Sequence, residues 1–389
     1  MNAVAAILSW AIVALTLPGT LLLALLTLAA ALPARRPPTL ARRALGRIAI
    51  VVPAHDEAVG IARTVRNLRA ECGIRSEIVV VADNCSDETA TIARQHGVRV
   101  MERVDPDRRG KGYALDWAFR QLLTENFGAF VVIDADSAIS PGFMTQMRAA
   151  LEGGADAAQA AYVPLGAPRN AGQRFTRLVR VAWNVVRLAG RERLGWSVGI
   201  LGNGFALTRE TLAAVPYGAR SIVEDVEYHL ELVRRGRRVR FVAAAQVEGD
   251  MPVGGRARAI QRTRWEGGRL RVLLDRARPL ARDIAHGHLR LTEPLVELCL
   301  LPLAQHTALL GLAAVLGTGP QRVYAAAAFG VVLLHVAVAL RTDGGGWRNV
   351  LALGLAPLYL IRKVLGAGSV LRAARANAAW NRTTRETTP

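Results

Sequence analysis

Lysine is nearly absent from this 389-residue chain: apart from Lys111 and Lys363, all of its 50 basic residues are arginine. Against 31 acidic residues they leave a formal charge of +19. A surplus carried so uniformly by one residue type, in helices and loops alike, reads as compositional bias, and nucleic acid is not expected as a partner. Cysteine is scarce as well. Cys72, Cys85 and Cys299 are too few and too scattered for a disulfide framework or a zinc knuckle, which agrees with a reducing cytosolic setting. Charge is missing altogether from residues 2–34. Hydrophobic residues nevertheless make up 51% of the chain and charged residues 21%, so apolar and charged regions must be segregated, as in a membrane protein with a cytosolic part.

The apolar run at residues 3–32 exceeds the roughly 20 residues that a spanning helix requires. It lacks the basic start of a secretory signal, although A-L-P-A at 31–34 keeps cleavage as a lesser alternative. Arg35, Arg36, Arg42, Arg43 and Arg47 follow at once, so the positive-inside rule places the next domain in the cytoplasm. Two further apolar blocks, 295–316 and 323–340, flank a G-T-G-P turn at 317–320 and predict a membrane hairpin that returns the chain to the cytoplasm at Arg341. Glu297 and His306 inside the first block are expected to meet each other or headgroup water, with a substrate path as the lesser alternative. Residues 349–361 are too short to span before Arg362 and Lys363. With Arg372, Arg375, Arg382 and Arg385 beyond, they suit a helix lying at the interface of anionic membrane lipids. The expected divisions are an anchor at 1–34, a cytosolic domain at 35–290, a transmembrane hairpin at 291–341 and an interfacial basic segment at 342–389.

Between the membrane segments, β-branched runs at 48–53, 77–82, 98–104 and 129–133 alternate with helical spacing at 58–71, 87–96 and 112–124. This predicts an α/β domain with a mostly parallel sheet and helices on both faces, whose ligands sit at the carboxyl ends of the strands. Polar residues collect at those ends: Pro53-Ala54-His55-Asp56-Glu57, Asp83-Asn84-Cys85-Ser86-Asp87 and Asp134-Ala135-Asp136-Ser137. Each cluster alone is ordinary turn chemistry, and Asp87 reads as a helix cap. Three acidic clusters converging on one crevice, however, require a cation. Asp134 and Asp136, two carboxylates in D-x-D spacing after an apolar strand, offer hard oxygen ligands for Mg²⁺ or Mn²⁺ held jointly with phosphates. The Arg108-Arg109-Gly110-Lys111-Gly112 stretch opening a helix supplies cations and small residues for a diphosphate.

These motifs carry a resemblance. V-V-P-A-H-D-E at 51–57, V-A-D-N-C-S-D-E-T at 81–89, G-K-G-Y-A-L at 110–115 and D-A-D at 134–136 resemble the nucleotide-sugar-binding half of family 2 glycosyltransferases. L-G-N-G-F-A at 201–206, E-D at 224–225 and Q-R-T-R-W at 261–265 resemble the acceptor half of the membrane branch that includes cellulose, hyaluronan and poly-N-acetylglucosamine synthases. The similarity runs in order over residues 48–269, and Trp380-Asn381-Arg382-Thr383 resembles short bacterial members.

The resemblance implies a GT-A (Rossmann-like) fold for 35–290 and an inverting, metal-dependent transfer from a nucleotide-diphosphate sugar, foremost a UDP-sugar. In it Pro53, Ala54, Glu57, Asp83, Lys111 and Asp134 would hold the nucleotide sugar, and Asp136, assisted by Asp134, the metal. It favours Asp225 over its neighbour Glu224 as the base that takes the acceptor's proton. A first-turn acid opposing the helix dipole is the plain alternative for Asp225, and helix geometry is expected to turn only one of the pair to the site. Gln261, Arg264 and Trp265 share one helical face at i, i+3 and i+4, where they could bind sugar and phosphate or form a membrane-interface Trp with a snorkelling Arg. The implied product is a β-linked polysaccharide made at the cytosolic face of a bacterial inner membrane by a multi-pass protein. A channel could need partner subunits or a homo-oligomer. Transfer of one sugar to a lipid acceptor is the alternative, and a non-catalytic basic scaffold on the membrane surface is a third reading that leaves the acidic constellation unexplained.

Overall fold

The computed structural model of the chain describes residues 3–33, 43–219, 221–250 and 255–375. Arg35, Arg36, Arg42, Arg382, Arg385 and the 380–383 stretch lie outside them. The described residues form two compact units, one drawn from Met1–Ala34, Ala167–Gly195 and Leu273–Ala378, the other from Arg35–Gly166 and Trp196–Val272.

The second unit is built on one sheet of eight strands: β1 Arg47–Ala54, β2 Ser76–Asp83, β3 Arg99–Arg103, β4 Phe127–Val132, β5 Ser137–Ile139, β6 Ala157–Pro164, β7 Phe205–Thr208 and β8 Val239–Gly249. Their spatial order is β3-β2-β1-β4-β7-β6-β8-β5. The first four run parallel, with Val51 of β1 opposite Val79 of β2 on one side and Val132 of β4 on the other. Covered on both faces, β1 buries Ile48 to Val52 completely, which is why it reads as an unbroken apolar run instead of an alternation. The helix Ile61–Glu71 packs on this layer through Ile61, Val65 and Leu68, one face at i, i+4 and i+7.

The other half of the sheet differs from the mostly parallel expectation. β7 runs antiparallel to β4 and β6, and β5 antiparallel to β8, while β6 and β8 are parallel. These strands gave no sequence signal of their own: β6 reads Ala-Ala-Gln-Ala-Ala, without the β-branched enrichment that marked β1, β2 and β4. All five residues are nevertheless buried, between β7 and β8.

In the first unit, Val4–Ala31 and Gly319–Asp343 are long and apolar enough to cross a membrane. Two further apolar pairs are bent, Leu289–Cys299 with Leu303–Leu316 by 69° and Gly346–Leu365 with Ala367–Ala373 by 47°. The apolar block at 295–316 is therefore broken, next to Pro302, which has no N–H to continue the helical ladder. Polar contacts join the apolar helices. Thr16 and Thr20 bond the Tyr324 hydroxyl at 2.8 and 2.9 Å, and Thr27 bonds His335 at 2.8 Å.

Glu297 and His306 do not meet each other as expected. His306 bonds Thr20 at 3.2 Å and lies against Gly19, whereas Glu297 pairs with Arg187 and Arg191. Arg191 also binds Glu293 at 2.8 Å, so two buried arginines are matched by two carboxylates. Arg187 and Arg191 belong to the helix Arg187–Leu194, whose Gly190 passes so close to Leu26 that a β-carbon would fall 2.3 Å from its carbonyl oxygen.

Candidate active site

The loops after β1 and β2 are braced against each other. Asp56 and Asn84 both adopt the left-handed conformation, with φ of 51° each, which their short polar side chains tolerate. Asp56 Oδ1 accepts from the Ser86 N–H at 2.6 Å, and Asp87 Oδ2 from the Ala58 N–H at 3.0 Å. Asp87 Oδ1 also accepts from the Thr89 N–H at 3.0 Å, the local bonding expected of it at a helix start. Pro53 and Ala54 end β1, Ala54 being buried, and Glu57 follows in the loop, with its N–H donating to Thr89 Oγ1 at 2.7 Å.

Asp83 is buried and already engaged: Arg103 donates to its Oδ1 at 2.5 Å, and Arg103 also donates to Asp105 at 2.8 Å and to the Arg108 carbonyl at 2.9 Å. Arg103 thus ties β3 to the Arg108–Lys111 stretch. The sequence reading missed it because one arginine among so many carries no signal. Asp56, Cys85 and Asp87 place one ligand atom each within 4.8 Å of one another. Both carboxylates accept the backbone bonds above, and burial pushes the Cys85 thiol up, so this trio is loop bracing and is not where the D-x-D expectation put the metal.

Lys111 opens the helix Lys111–Leu122 and donates to Asp134 Oδ1 and to the Gly202 carbonyl. It therefore meets the first D-A-D carboxylate directly and spends two of its three donors inside the protein. Gly112 follows, where a β-carbon would lie 2.3 Å from the Ala219 carbonyl oxygen and 3.4 Å from Glu224 Cβ. Gly202, whose carbonyl Lys111 binds, has φ of 76°, and a β-carbon there would be 3.3 Å from Asp225 Oδ2.

Both members of the acidic pair act electrostatically on Lys111, with Glu224 beside Gly112 and Asp225 beside Gly202. They occupy the first two positions of the helix Glu224–Arg234. Burial raises the pKa of both carboxyls above the ordinary range, Asp225's charge raises Glu224 further, and Lys111 pulls both back. Burial works against the Lys111 ammonium, but Asp134, Glu224 and Asp225 more than offset it and its pKa is raised.

Gln261, Arg264 and Trp265 are half-buried on the helix Gly255–Ala285. That helix comes close to the acidic pair at Gly268, where a β-carbon would lie 2.9 Å from Val223 Cγ1. Tyr217 has no sequence signal either. Its ring stacks on Phe205 at 6.3 Å and packs 4.4 Å from Tyr228, and its hydroxyl is buried without a hydrogen-bond partner among the described residues. Asp136 is half-buried and accepts from Ser137 Oγ at 3.2 Å.

The profile of the family described as glycosyltransferase like family 2 matches residues 46–268, more than half of the chain, and the chain belongs to that family. Its fold is the GT-A glycosyltransferase fold. The chain is 26% identical over 246 residues to the probable glycosyltransferase YdaM of Bacillus subtilis (strain 168), covering 59% of this chain and 57% of YdaM. The chain thus spans little more than half the length of that curated relative. Among solved structures it is similar to the mannosyltransferase PcManGT of Pyrobaculum calidifontis in complex with GDP-Man and Mn²⁺, at 18% identity and a TM-score of 0.51, over 90% of this chain and 97% of that one. It is also similar to glucosyl-3-phosphoglycerate synthase of Mycobacterium tuberculosis, at 22% identity and a TM-score of 0.39, over 66% and 80% of the two chains.

Proposed function

We propose that this glycosyltransferase takes a nucleotide-diphosphate sugar, foremost a UDP-sugar, and transfers the sugar with inversion to an acceptor hydroxyl. The observation that carries the reading is the meeting of Lys111, Asp134, Gly202 and Asp225, drawn from four separate segments into one cluster. Pro53, Ala54, Glu57 and Asp83 rim the nucleoside position. Asp225, ionised and set at the helix start, takes the acceptor's proton as that oxygen attacks the anomeric carbon from the face opposite the leaving diphosphate, so an α-linked donor gives a β-linked product. Lys111 offers its remaining donor to the diphosphate and holds Asp134 in place. Trp265, with Gln261 and Arg264, presents an aromatic face and polar groups to the acceptor sugar and diphosphate.

The donor set fits a divalent ion. Asp134 and Asp136 are hard oxygen ligands, and Asp134, Glu224 and Asp225 together outnumber the one ammonium that faces them. Bound Mg²⁺ or Mn²⁺ would supply positive charge to the departing diphosphate.

The acceptor in this reading is a growing glycan, the catalytic unit faces the cytoplasm of a bacterial inner membrane, and 1–34, 291–341 and 342–389 serve as anchor, hairpin and interfacial segment on membrane lipids. Transfer of a single sugar to a lipid acceptor is the second reading. It is favoured by the small number of candidate spans among the described residues, two helices or up to four, which is few for a polymer channel without partner subunits. Purified protein in detergent, given a panel of nucleotide sugars with Mg²⁺ or Mn²⁺, tests both through nucleoside diphosphate release and product mass. Release from no nucleotide sugar, with or without lipid acceptor, would reject the enzyme reading.

A further inference from the structure

Asn203 is 1% exposed, and both ends of its side-chain amide are engaged. Its Oδ1 accepts from the Asp134 N–H at 3.1 Å, which fixes the orientation of the amide, since an N–H needs an acceptor. Nδ2 then points to Ser137 Oγ at 2.8 Å. A hydroxyl that accepts from an amide is left to give its own hydrogen elsewhere, and Ser137 Oγ lies 3.2 Å from Asp136 Oδ1. The chain of bonds runs in one direction, from amide to hydroxyl to carboxylate, and it grips the D-A-D turn at both aspartates.

The same loop is held from below by a second buried amide. Gln159 of β6, fully buried, donates from Nε2 to the Asn203 carbonyl at 2.8 Å and accepts at Oε1 from the Leu201 N–H at 2.9 Å. Gly202, between those two residues, carries the carbonyl that Lys111 binds and abuts Asp225. Each bond made by these buried amides is one the interior would otherwise leave unsatisfied, at a cost larger than the bond's own net worth.

We propose that Asn203 is a positioning residue: through Ser137 it orients the Asp136 carboxylate, and through Asp134 it locks the metal and diphosphate end of the site to the loop whose Gly202 carbonyl holds Lys111 and which borders Asp225. Nothing in the chemistry requires an amide at this place except the need to hold two acidic residues of one turn at once, one by its backbone and one by its side chain. The inference rests on D-A-D being the diphosphate and metal site.

The test uses the full chain in detergent, Mn²⁺ with UDP or GDP as the probe, and electron paramagnetic resonance of free Mn²⁺ to count the bound ion. Ser137→Ala removes only the hydroxyl between Asn203 and Asp136, and Asn203→Leu removes both grips at similar volume. Each is expected to weaken Mn²⁺·nucleotide binding by about tenfold or more, the scale of a hydrogen bond to a charged group. The donor KM should rise more than kcat falls in Ser137→Ala, and its melting temperature should stay near that of the wild type, a split that general loss of folding does not give. If Asn203→Leu fails to fold, Ser137→Ala decides alone. Wild-type binding with unchanged affinity in Ser137→Ala overturns the inference and leaves the D-A-D reading standing. A folded wild type that binds Mn²⁺ with neither nucleotide overturns the D-A-D reading itself.

Discussion

Gly202 leaves the space beside Asp225 open: a β-carbon on Gly202 would lie 3.3 Å from Asp225 Oδ2, while the Gly202 carbonyl holds Lys111. The carboxylate proposed as base and the ammonium proposed for the diphosphate thus share one glycine as their spacer. In the proposed reaction, an acceptor oxygen approaching Asp225 would come within reach of the sugar whose leaving group Lys111 attends.

Asp225→Asn retains size and hydrogen bonding but cannot accept a proton. Transfer should fall by roughly 10² to 10⁴, with donor binding preserved. Single-turnover measurement on bound donor checks this; collapse of donor affinity with an unchanged transfer rate would make Asp225 a binding residue instead.

The pH profile carries the electrostatics of the cluster. As the proposed base Asp225 would act only when ionised, and burial raises its pKa, so activity should fall with decreasing pH through a value above the ordinary aspartate pKa of about 4. Lys111 lowers that pKa, so Lys111→Met should move the acidic limb to higher pH as well as weaken donor binding. A limb that moves to lower pH in Lys111→Met would contradict the arrangement.

Removing the second aspartate of the turn tests the metal. Two carboxylates alone would hold a divalent ion weakly without a bound diphosphate, so Asp136→Asn should abolish turnover and metal-dependent donor binding together. Full activity in excess chelator, or wild-type turnover in Asp136→Asn, is the contrary result.

Trp265 separates the two acceptor readings. If a glycan end stays at the site after each addition, Trp265→Ala should shorten products while donor hydrolysis to water persists, because the donor rim comes from other strands. Product mass at matched donor consumption reads this out. One species of fixed mass in both proteins, formed only with a lipid acceptor, would establish the single transfer.

Local information was enough for the parallel half of the domain. β1, β2 and β4 are buried on both faces, so their sequences are continuous apolar runs, and the polar residues at their carboxyl ends stand out against them. The apolar helices were legible for the same reason, since a chargeless run of about 30 residues needs no tertiary context. The family resemblance added Asp225 and Trp265, which no spacing rule would have singled out.

Tertiary structure alone decided which groups meet. β6 and β7 are short or alanine-rich and are strands because neighbours on both sides satisfy their backbones. Lys111 pairs with Asp134 across 23 positions of sequence, and the Asn203 amide reaches Asp134 across 69. Glu224 and Asp225, adjacent at a helix start, both act on Lys111, a meeting that the period of the helix does not encode. The break beside Pro302 shows the converse, a local bar to helix inside an apolar block that composition alone reads as one span. Burial patterns repeat along the chain and can be read from it. Hydrogen-bond partners are fixed by which donors and acceptors the packed fold leaves without water, and that is a property of the whole structure.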